Sequence, residues 1–335
     1  MAQGFLLRRR VPDRRARRPI VRKHHGRPVH RARYALAASA RRAARGRCLA
    51  LVTIYAEVIG DPIAQSKSPA IHGFWIAKLG LDADYRAHHV TADDLAAYLE
   101  ERRGDPDWRG CNVTMPHKQA VIPMLDRLEP LARRVGAVNT IVRAPDGALV
   151  GRNTDVAGFL EPLRERLKAT HYFRMARILG TGGAARAIVA GLADEGFTLV
   201  LVGRDTGKAE ALLGELDPGG EHHVAPLDHF AKATDFAFDD REGCCDLVIN
   251  ASPLGMRCQP PLEFDWSHAP PGSVAYDIVT DPVETEFLRQ ARSAGFETID
   301  GLAMLIGQAA AAFTHFFGVE PPREHDAELR ERLMA

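Results

Sequence analysis

The sequence has no long hydrophobic run. Its longest apolar stretches, 197–202 and 302–313, are short, whereas a membrane-spanning helix needs about 18 consecutive apolar residues. The sequence therefore predicts no transmembrane segment. Apolar residues make up 46% and charged residues 26% of the chain, and these shares exclude a fully disordered protein and a collagen. The length of 335 residues is enough for about two globular domains.

Cysteine is also scarce. None of the five cysteines belongs to a CxxC pair, and they form no disulfide framework. The 14 histidines show no HExxH or other metal-ligand spacing, so we predict no metal site. This composition is typical of a reducing compartment, and we predict a cytoplasmic location. The cysteines are Cys48, Cys111, Cys244, Cys245 and Cys258.

Acidic residues are nearly absent from the first 50 residues. This segment has 16 basic residues and one acidic residue, a net charge of +15, whereas the other 285 residues have 28 basic and 42 acidic residues, a net charge of −14. A basic body of the kind that binds nucleic acid is therefore absent. Three explanations of the arm, residues 1–51, stay open: a disordered tail that touches nucleic acid or another polyanion, an organellar targeting peptide, or a segment outside the functional protein. We favour the last, with a start near Val52.

From Thr53 onward, apolar runs alternate with segments of helical periodicity. The runs 53–60, 83–90 and 110–116 predict strands, and residues 68–80 carry apolar side chains at helical spacing. A second series of strands, separated by helices of about 10–15 residues, predicts parallel βαβ units. We therefore predict an α/β fold with two α/β domains. The strands of the second series are 176–180, 198–204, 245–250, 273–279 and 296–300.

A glycine-rich motif follows the first strand of this second series and opens a helix. Gly180, Gly182 and Ala185 fit the pattern G-x-G-x-x-[G/A], in which glycines let backbone N–H groups approach a pyrophosphate at a helix N-terminus. The strand, the helix and the next strand are all in their expected order, so the motif predicts a dinucleotide site. The predicted contacts are Gly180, Thr181, Gly182, Gly183 and Ala184.

The end of the next strand predicts which dinucleotide is bound. An NAD site usually has an acidic residue there for the ribose 2′-hydroxyl, whereas this chain has Gly203 and then Arg204, with Lys208 one turn later. Two cations match the 2′-phosphate of NADP. Asp205 is an unsuitable neighbour for that phosphate, but it can cap the helix that begins at Thr206.

Together with the glycine motif, several other motifs of the chain resemble those of the shikimate dehydrogenase family and follow one another in the same order. The resemblance covers about residues 53–333 and implies an NADP-dependent oxidoreductase of the shikimate pathway, which leads to the aromatic amino acids. It is carried by GDPIAQSKSP (60–69), NVTMPHK (112–118), GAVNT (136–140), GRNTD (151–155), GTGGAARA (180–187), VINASPLGM (248–256), YDIVTDPVETEFL (276–288) and DGLAMLIGQAAAAF (300–313).

The resemblance implies a role for residues of each motif. Ser66 and Ser68 are expected to bind the substrate carboxylate, and Lys118 and Asp155 to form the catalytic pair. A lysine can transfer a proton when its surroundings bring its pKa toward neutrality, although an ordinary Lys–Asp ion pair is the alternative. Ring-hydroxyl contacts are expected from Thr114, Lys118, Asn139, Asp155 and Gln308. Further cofactor contacts are expected from Asn250, Ala251, Ile278, Gly301 and Met304.

The resemblance also implies how the chain divides. We predict a substrate domain of residues 52–155 plus 301–335, a Rossmann-type NADP domain of residues 156–300, and an active-site cleft between them. A monomer and a homodimer both remain open.

The chain departs from the family pattern in three places. Thr280 stands where a tyrosine is usual, Gln65 replaces the usual histidine of its loop, and GRD (203–205) replaces an NRT-like cofactor segment. The alternatives are therefore a quinate or aminoshikimate dehydrogenase of the same superfamily. A different class is a non-catalytic nucleotide-binding protein whose basic arm binds nucleic acid.

Overall fold

The computed structural model describes residues 53–239 and 241–335. The predictions for residues 1–51, and for a start near Val52, lie outside the described residues. The described part contains two six-stranded sheets with helices packed on their faces, which confirms the predicted α/β fold. No helix within the described ranges is long and apolar enough to cross a membrane.

The first sheet is mixed, with strand order β2-β1-β3-β5-β6-β4. Strands β1, β2 and β3 are parallel, whereas β5 runs antiparallel to both β3 and β6. The turn between β5 and β6 contains Gly147 at φ 87°, a backbone conformation that suits glycine. The strands are β1 (Ile54–Gly60), β2 (Ala83–His89), β3 (Trp108–Val113), β4 (Arg127–Leu128), β5 (Thr140–Arg143) and β6 (Leu149–Arg152).

The second sheet is entirely parallel, with strand order β12-β11-β10-β7-β8-β9. The chain starts in the middle at β7, winds outward to β9, and returns to β10 on the other side of β7. This is the doubly wound order of dinucleotide-binding folds, which bind ligands at the carboxyl ends of the two central strands. The strands are β7 (Phe173–Leu179), β8 (Thr198–Gly203), β9 (His222–Pro226), β10 (Cys244–Asn250), β11 (Val274–Asp277) and β12 (Glu297–Ile299).

The helices begin where the sequence offers a local reason to begin. The side chains of Asp205, Thr285 and Asp300 each accept a hydrogen bond from a backbone N–H of the first turn, as good N-caps do. This confirms the capping role predicted for Asp205. The helices are α1 (Ser68–Leu79), α2 (Leu95–Gly104), α3 (Pro130–Val135), α4 (Asp155–Leu160), α5 (Arg164–Lys168), α6 (Gly183–Asp194), α7 (Thr206–Leu216), α8 (Glu286–Ser293), α9 (Gly301–Phe317) and α10 (Asp326–Met334).

The structure corrects several strand boundaries. The predicted strand 110–116 spans Trp108–Val113, and the predicted strand 273–279 ends at Asp277. Strands β4, β5 and β9 were not predicted. The two-residue β4 is too short, and the polar sequence HHVAP of β9 too irregular, to show an apolar period.

Two helices cross at backbone contact between the sheets. A Cβ atom on Gly158 of α4 would lie 2.5 Å from the backbone nitrogen of Gln308 on α9, and one on Gly307 would lie 3.0 Å from the Cα of Gly158. Only glycine permits this approach. The crossing holds the start of α4 against the middle of α9, and both helices carry predicted site residues.

Candidate active site

The predicted catalytic pair is formed in the structure. Lys118 lies in the loop after β3, and Asp155 is the first residue of α4. The Nζ atom of Lys118 donates to Oδ2 of Asp155 over 2.6 Å. The two side chains are 16% and 6% exposed, so the ion pair is largely shielded from water yet still open on the lysine side. Such a shielded pair interacts more strongly than one on the surface.

Polar side chains fix the other oxygen of Asp155. The amide of Asn139 donates to Oδ1 of Asp155 over 2.8 Å, and the same Nδ2 atom lies 3.4 Å from Oε1 of Gln308. The amide oxygen of Asn139 in turn accepts from the backbone N–H of Thr154 over 2.7 Å. Four predicted residues (Lys118, Asn139, Asp155 and Gln308) thus form one hydrogen-bonded group, and Oδ2 of Asp155 is held toward the lysine.

Sheet register brings the remaining predicted substrate residues to the same edge. Ser66 and Ser68 follow the carboxyl end of β1, and Thr114 follows the carboxyl end of the parallel neighbour β3. The methyl group of Thr114 would be 2.5 Å from a Cβ on Gly60, so the two strand ends pack directly together. Ser68 is buried, and its backbone N–H donates to the Ser66 hydroxyl over 3.3 Å.

The glycine motif lies at the carboxyl end of β7, beside the end of β10. Gly180 has φ 133°, and a Cβ on it would lie 2.6 Å from the carbonyl oxygen of Ala251, so only glycine fits. Gly182 precedes α6 in extended conformation, and a Cβ there would meet no atom of residues 53–239 or 241–335 within 4 Å. Thr181, which lies between these two glycines, packs its methyl group near Gly203. An open space in front of a helix N-terminus is what a pyrophosphate requires.

The Lys118–Asp155 pair lies against the glycine motif. Cδ of Lys118 lies 3.3 Å from the position that a Cβ on Gly183 would take. The lysine stem therefore packs against the first residue of α6, beside Ala184, while its ammonium group reaches Asp155. A dinucleotide bound at this helix N-terminus would therefore lie next to the stem of Lys118.

Other predicted cofactor residues hold loops together. Asn250 uses its amide for the carbonyl of Leu254, at 2.9 Å, and for Oδ1 of Asp277, at 3.0 Å. A Cβ on Gly301 would lie 2.2 Å from the carbonyl oxygen of Val279. Met304 is buried in the apolar core of the second sheet. Cofactor contacts by Asn250, Gly301 and Met304 stay predictions.

Sequence analysis assigned no role to Asp277, which organises the loop that follows β11. It is fully buried and accepts hydrogen bonds from Thr285, Val279 and Asn250. Burial raises the pKa of this carboxyl to about 6, although its three donors oppose the rise. The loop carries Ile278, predicted to touch the cofactor. An acidic residue at the end of an apolar strand was the only signal that could have revealed it.

The two residues that are predicted to bind the 2′-phosphate of NADP are exposed. Arg204 and Lys208 lie at the start of α7, and neither forms an ion pair with another described residue. Asp205 is occupied, because its side chain accepts from the backbone N–H of Lys208 over 3.0 Å. Within residues 53–239 and 241–335, no cluster of three or more metal-ligating side chains is present.

Comparison with known proteins finds relatives of similar sequence. The family model of the shikimate dehydrogenase substrate binding domain matches residues 58–141, and that of the shikimate 5′-dehydrogenase C-terminal domain matches residues 301–328. A shikimate dehydrogenase (NADP(+)) of Sphingopyxis alaskensis is 49% identical over 283 residues, which cover 84% of this chain and 97% of that protein. The chain belongs to the shikimate dehydrogenase family. The family assignment and the oxidoreductase class predicted from the sequence are thereby confirmed.

Solved structures of the shikimate dehydrogenase family have the same fold. Shikimate 5-dehydrogenase of Thermus thermophilus, in complex with NADP(H) and shikimate, is 34% identical with a TM-score of 0.69, covering 84% of this chain and 99% of that chain. A quinate dehydrogenase of Corynebacterium glutamicum in complex with NAD is 32% identical with a TM-score of 0.70, covering 84% of this chain and 99% of that chain. Family members of closely similar fold therefore differ in substrate and in dinucleotide.

Proposed function

We propose that the protein catalyses the reversible, NADPH-dependent reduction of 3-dehydroshikimate to shikimate in the shikimate pathway. The observation that carries the proposal is the Lys118–Asp155 pair, with Nζ and Oδ2 2.6 Å apart and the lysine stem packed against Gly183. This geometry supports proton transfer beside a dinucleotide. The relatives named above support the choice of substrate and cofactor.

The glycine motif fits the cofactor. A Cβ on Gly182 would meet no described atom within 4 Å, so this glycine leaves room at the start of α6, and Arg204 and Lys208 present two cations after the end of β8. When bound, NADPH supplies the hydride that converts the carbonyl to an alcohol. We assign the pyrophosphate to the backbone N–H groups of residues 180–184 and the 2′-phosphate to the two cations.

The catalytic pair handles the proton of the reaction. As the carbonyl is reduced, its oxygen becomes an alkoxide, and the ammonium group of Lys118 donates a proton to it. Oδ2 of Asp155 accepts a hydrogen bond from the new hydroxyl and holds the lysine in place. Asn139 occupies Oδ1, so the carboxylate cannot turn away from the reacting oxygen. The reverse reaction uses the same groups in the opposite order.

The rest of the substrate is bound by neutral side chains. We assign the carboxylate to the hydroxyl groups of Ser66, in the loop after β1, and Ser68, the first residue of α1, whose backbone N–H donates to the Ser66 hydroxyl. Thr114, Asn139 and Gln308 then contact the ring hydroxyls, because the register of the first sheet and the helix crossing place them at the same edge. Hydroxyls and amides that bind a substrate oxygen reject analogues lacking that oxygen.

A quinate dehydrogenase is the second candidate. Thr280 lies half-buried in the loop after β11, and a quinate dehydrogenase is among the structures of similar fold. Steady-state kinetics with shikimate and quinate, each with NADP and with NAD, decides between them. We expect the highest kcat/KM for shikimate with NADP. A higher kcat/KM for quinate would show that the protein is a quinate dehydrogenase. If neither substrate were turned over, both candidate functions would be contradicted.

We further propose a cytoplasmic location, supported by the free thiols of Cys111, Cys244, Cys245 and Cys258. Sedimentation of the purified protein would decide between a monomer and a homodimer.

A further inference from the structure

An arginine lies in α6 shortly after the glycines of the motif. A cation so close to a helix N-terminus is a natural ligand for a phosphate group. The side chain of Arg186, however, is only 10% exposed, and its guanidinium group is bound to partners within the protein. These partners indicate a different role for Arg186.

The guanidinium group reaches the carboxyl end of α3. Nε of Arg186 donates to the carbonyl oxygen of Val135, the last residue of that helix, over 2.5 Å. A carbonyl at this position has no partner within its own helix, and a helix C-terminus attracts a cation. Gly136 follows with φ 63°, and a Cβ on it would lie 2.6 Å from Nη2 of Arg186. The glycine therefore both ends the helix and leaves room for the guanidinium group.

Apolar packing shields this hydrogen bond. A small buried cluster lies at the contact of α3 with α6 and consists of Val135, Ala137, Val156, Ala187 and Ala190. A hydrogen bond in such surroundings is stronger than one in water, and removing its donor leaves the carbonyl unsatisfied. The second partner of the guanidinium group, Glu215 on α7, is exposed, so that ion pair contributes little. The Val135 carbonyl is therefore the partner that matters.

The segment that follows Val135 holds the backbone of the catalytic lysine. The backbone N–H of Val138 donates to the carbonyl oxygen of Lys118 over 2.7 Å. The stem of Lys118 packs against Gly183, on the same helix as Arg186. Helix α6 therefore holds the lysine at two points, directly at its first residue and indirectly through Arg186.

We propose that Arg186 is a positioning residue that fixes Lys118 relative to the N-terminus of α6, and so relative to a dinucleotide bound there. The proposal rests on the proposed function. The reaction needs the ammonium group beside the reacting oxygen while the hydride donor lies beside the carbonyl carbon. A displacement of about 1 Å between such groups can slow a reaction about 100-fold. Arg186 prevents it by joining the segment that holds the lysine to the helix.

Arg186→Met tests the proposal, because it keeps an unbranched stem and removes the guanidinium group. We expect kcat for shikimate oxidation to fall about 5- to 50-fold, because Lys118 is displaced. The Kd for NADP should stay within about threefold, whereas an arginine that bound the pyrophosphate would raise it about 10-fold or more on removal. Titration with NADP counts the binding sites, and kcat is expressed per site, so unfolded protein does not affect the result.

Arg174→Met is the matched control. Arg174, on β7, is also half-buried, and its guanidinium group donates to the carbonyls of Leu167, Ala169 and Glu195 over 3.0, 3.3 and 2.7 Å. None of these carbonyls belongs to a predicted site residue. Both variants lose a guanidinium group that binds main-chain carbonyls, so both are expected to unfold at lower urea concentration. We expect only Arg186→Met to lower kcat per site.

Arg186→Lys is a milder variant for the case that Arg186→Met does not fold. A lysine keeps the charge, but one ammonium group does not reproduce the planar guanidinium group that contacts both Val135 and Glu215. We expect kcat per site to fall at least about threefold, because smaller displacements of a reacting group also slow the reaction.

A double-mutant cycle with Lys118→Met identifies the residue through which Arg186 acts. In the Lys118→Met background we expect Arg186→Met to lower kcat per site by no more than about twofold, because the lysine that it positions is gone. A kcat per site within about twofold of the wild type in either Arg186 variant, an equal fall in Arg174→Met, a tenfold rise of Kd for NADP, or additive losses with Lys118→Met would each overturn the proposal. Failure of the wild-type enzyme to oxidise shikimate would instead overturn the proposed function.

Discussion

At the scale of single residues, the hydrogen bonds that a side chain already makes within the protein determine how it is held. Asp155 gives Oδ1 to Asn139 and keeps Oδ2 for Lys118. Asn250 has its amide committed to Asp277 and to the Leu254 carbonyl, so its amide group holds the loop together.

Lys118→Met tests the proton donor. The methionine keeps a long stem against Gly183 but has no ionisable group. We expect kcat to fall about 10²- to 10⁴-fold, the usual loss for a positioned acid–base group, with the Kd for NADP unchanged. Lys78→Met, at an exposed lysine paired with Glu328, is the control and should be neutral. If Lys118→Met retained more than about a third of the wild-type kcat, another group would be the proton donor.

Arg204→Ala tests the choice of dinucleotide. The exposed guanidinium is assigned to the 2′-phosphate, so we expect KM for NADP to rise about 10- to 150-fold, as for a lost hydrogen bond to a charged group. KM for NAD should change little. Arg133→Ala, at an exposed arginine of α3, serves as the control. Equal losses with both dinucleotides would contradict the assignment.

His72→Phe tests how a buried imidazole affects acid stability. Neither ring nitrogen of His72 has a hydrogen-bond partner among the described residues, and burial lowers the pKa of His72 from 6.5 to about 3. Unfolding frees this base to take up a proton, so its contribution to stability is complete above pH 6.5 and is lost as the pH falls toward 3. The loss between pH 7 and pH 4.5 is about 2–3 kcal/mol.

Urea unfolding across this pH range provides the measurement for His72. We expect His72→Phe to lose less stability than the wild type between pH 7 and pH 4.5, because phenylalanine cannot be protonated. His223→Phe, at an exposed position, should follow the wild type. Parallel curves for His72→Phe and the wild type would refute the prediction.

At the scale of elements, the crossing of α4 and α9 sets the geometry of the site. Asp155 begins α4, one turn before Gly158, and Gln308 lies on α9 directly over that glycine. The two helices belong to distant parts of the sequence, yet their backbones touch. Their separation therefore controls the distance between Asp155 and Gln308, and any side chain at the contact would increase it.

Gly158→Ala tests the crossing. The added methyl group would lie 2.5 Å from the backbone nitrogen of Gln308, which cannot move away alone. We expect a loss of about 1–3 kcal/mol of stability from overpacking. Displacement of the site residues should also lower kcat/KM by up to about 100-fold. Chemical denaturation and steady-state kinetics measure the two effects.

The control for the crossing is Gly214→Ala in α7. In the part of the chain that the structure describes, a Cβ at Gly214 would meet nothing within 4 Å, so the substitution should be neutral or stabilise the protein by up to about 1 kcal/mol. Normal activity in Gly158→Ala would show that the site tolerates a wider crossing.

At the scale of the whole molecule, charge is divided between two parts of the chain. Residues 1–50 have a net charge of +15 and the remainder a net charge of −14. The residues assigned to substrate and cofactor all lie between Ser66 and Gln308, within the acidic part. At physiological salt the screening length is about 8 Å, so exposed charges such as those of the arm act only over short distances.

Removal of residues 1–51 tests whether the basic arm contributes to catalysis or to the binding of polyanions. We expect kcat/KM for shikimate to change by no more than about twofold, roughly 0.4 kcal/mol, at moderate salt. Retention on heparin should fall, because the truncated chain loses the charge of +15. A tenfold loss of kcat/KM would place the arm in the folded core or in the site. Unchanged retention on heparin would show that the arm does not bind polyanions.

Features encoded in continuous stretches of sequence were predicted well. The alternation of strands and helices, the glycine motif at 180–187 and the Asp205 cap each depend on neighbours within a few residues, so local physical rules suffice. Short or polar strands such as β4 and β9 were missed, because their pairing is decided by the rest of the sheet and not by their own periodicity.

The sequence by itself determined the α/β class, the position of the dinucleotide motif and the types of side chain available for catalysis. Only the tertiary structure decided which of these side chains meet. Lys118 and Asp155 are 37 residues apart, and Tyr85 and Asn112 are 27 apart, on strands whose neighbours are set by packing. Contacts of this kind depend on sheet order, register and helix crossings, since distant segments approach only when the whole core is assembled.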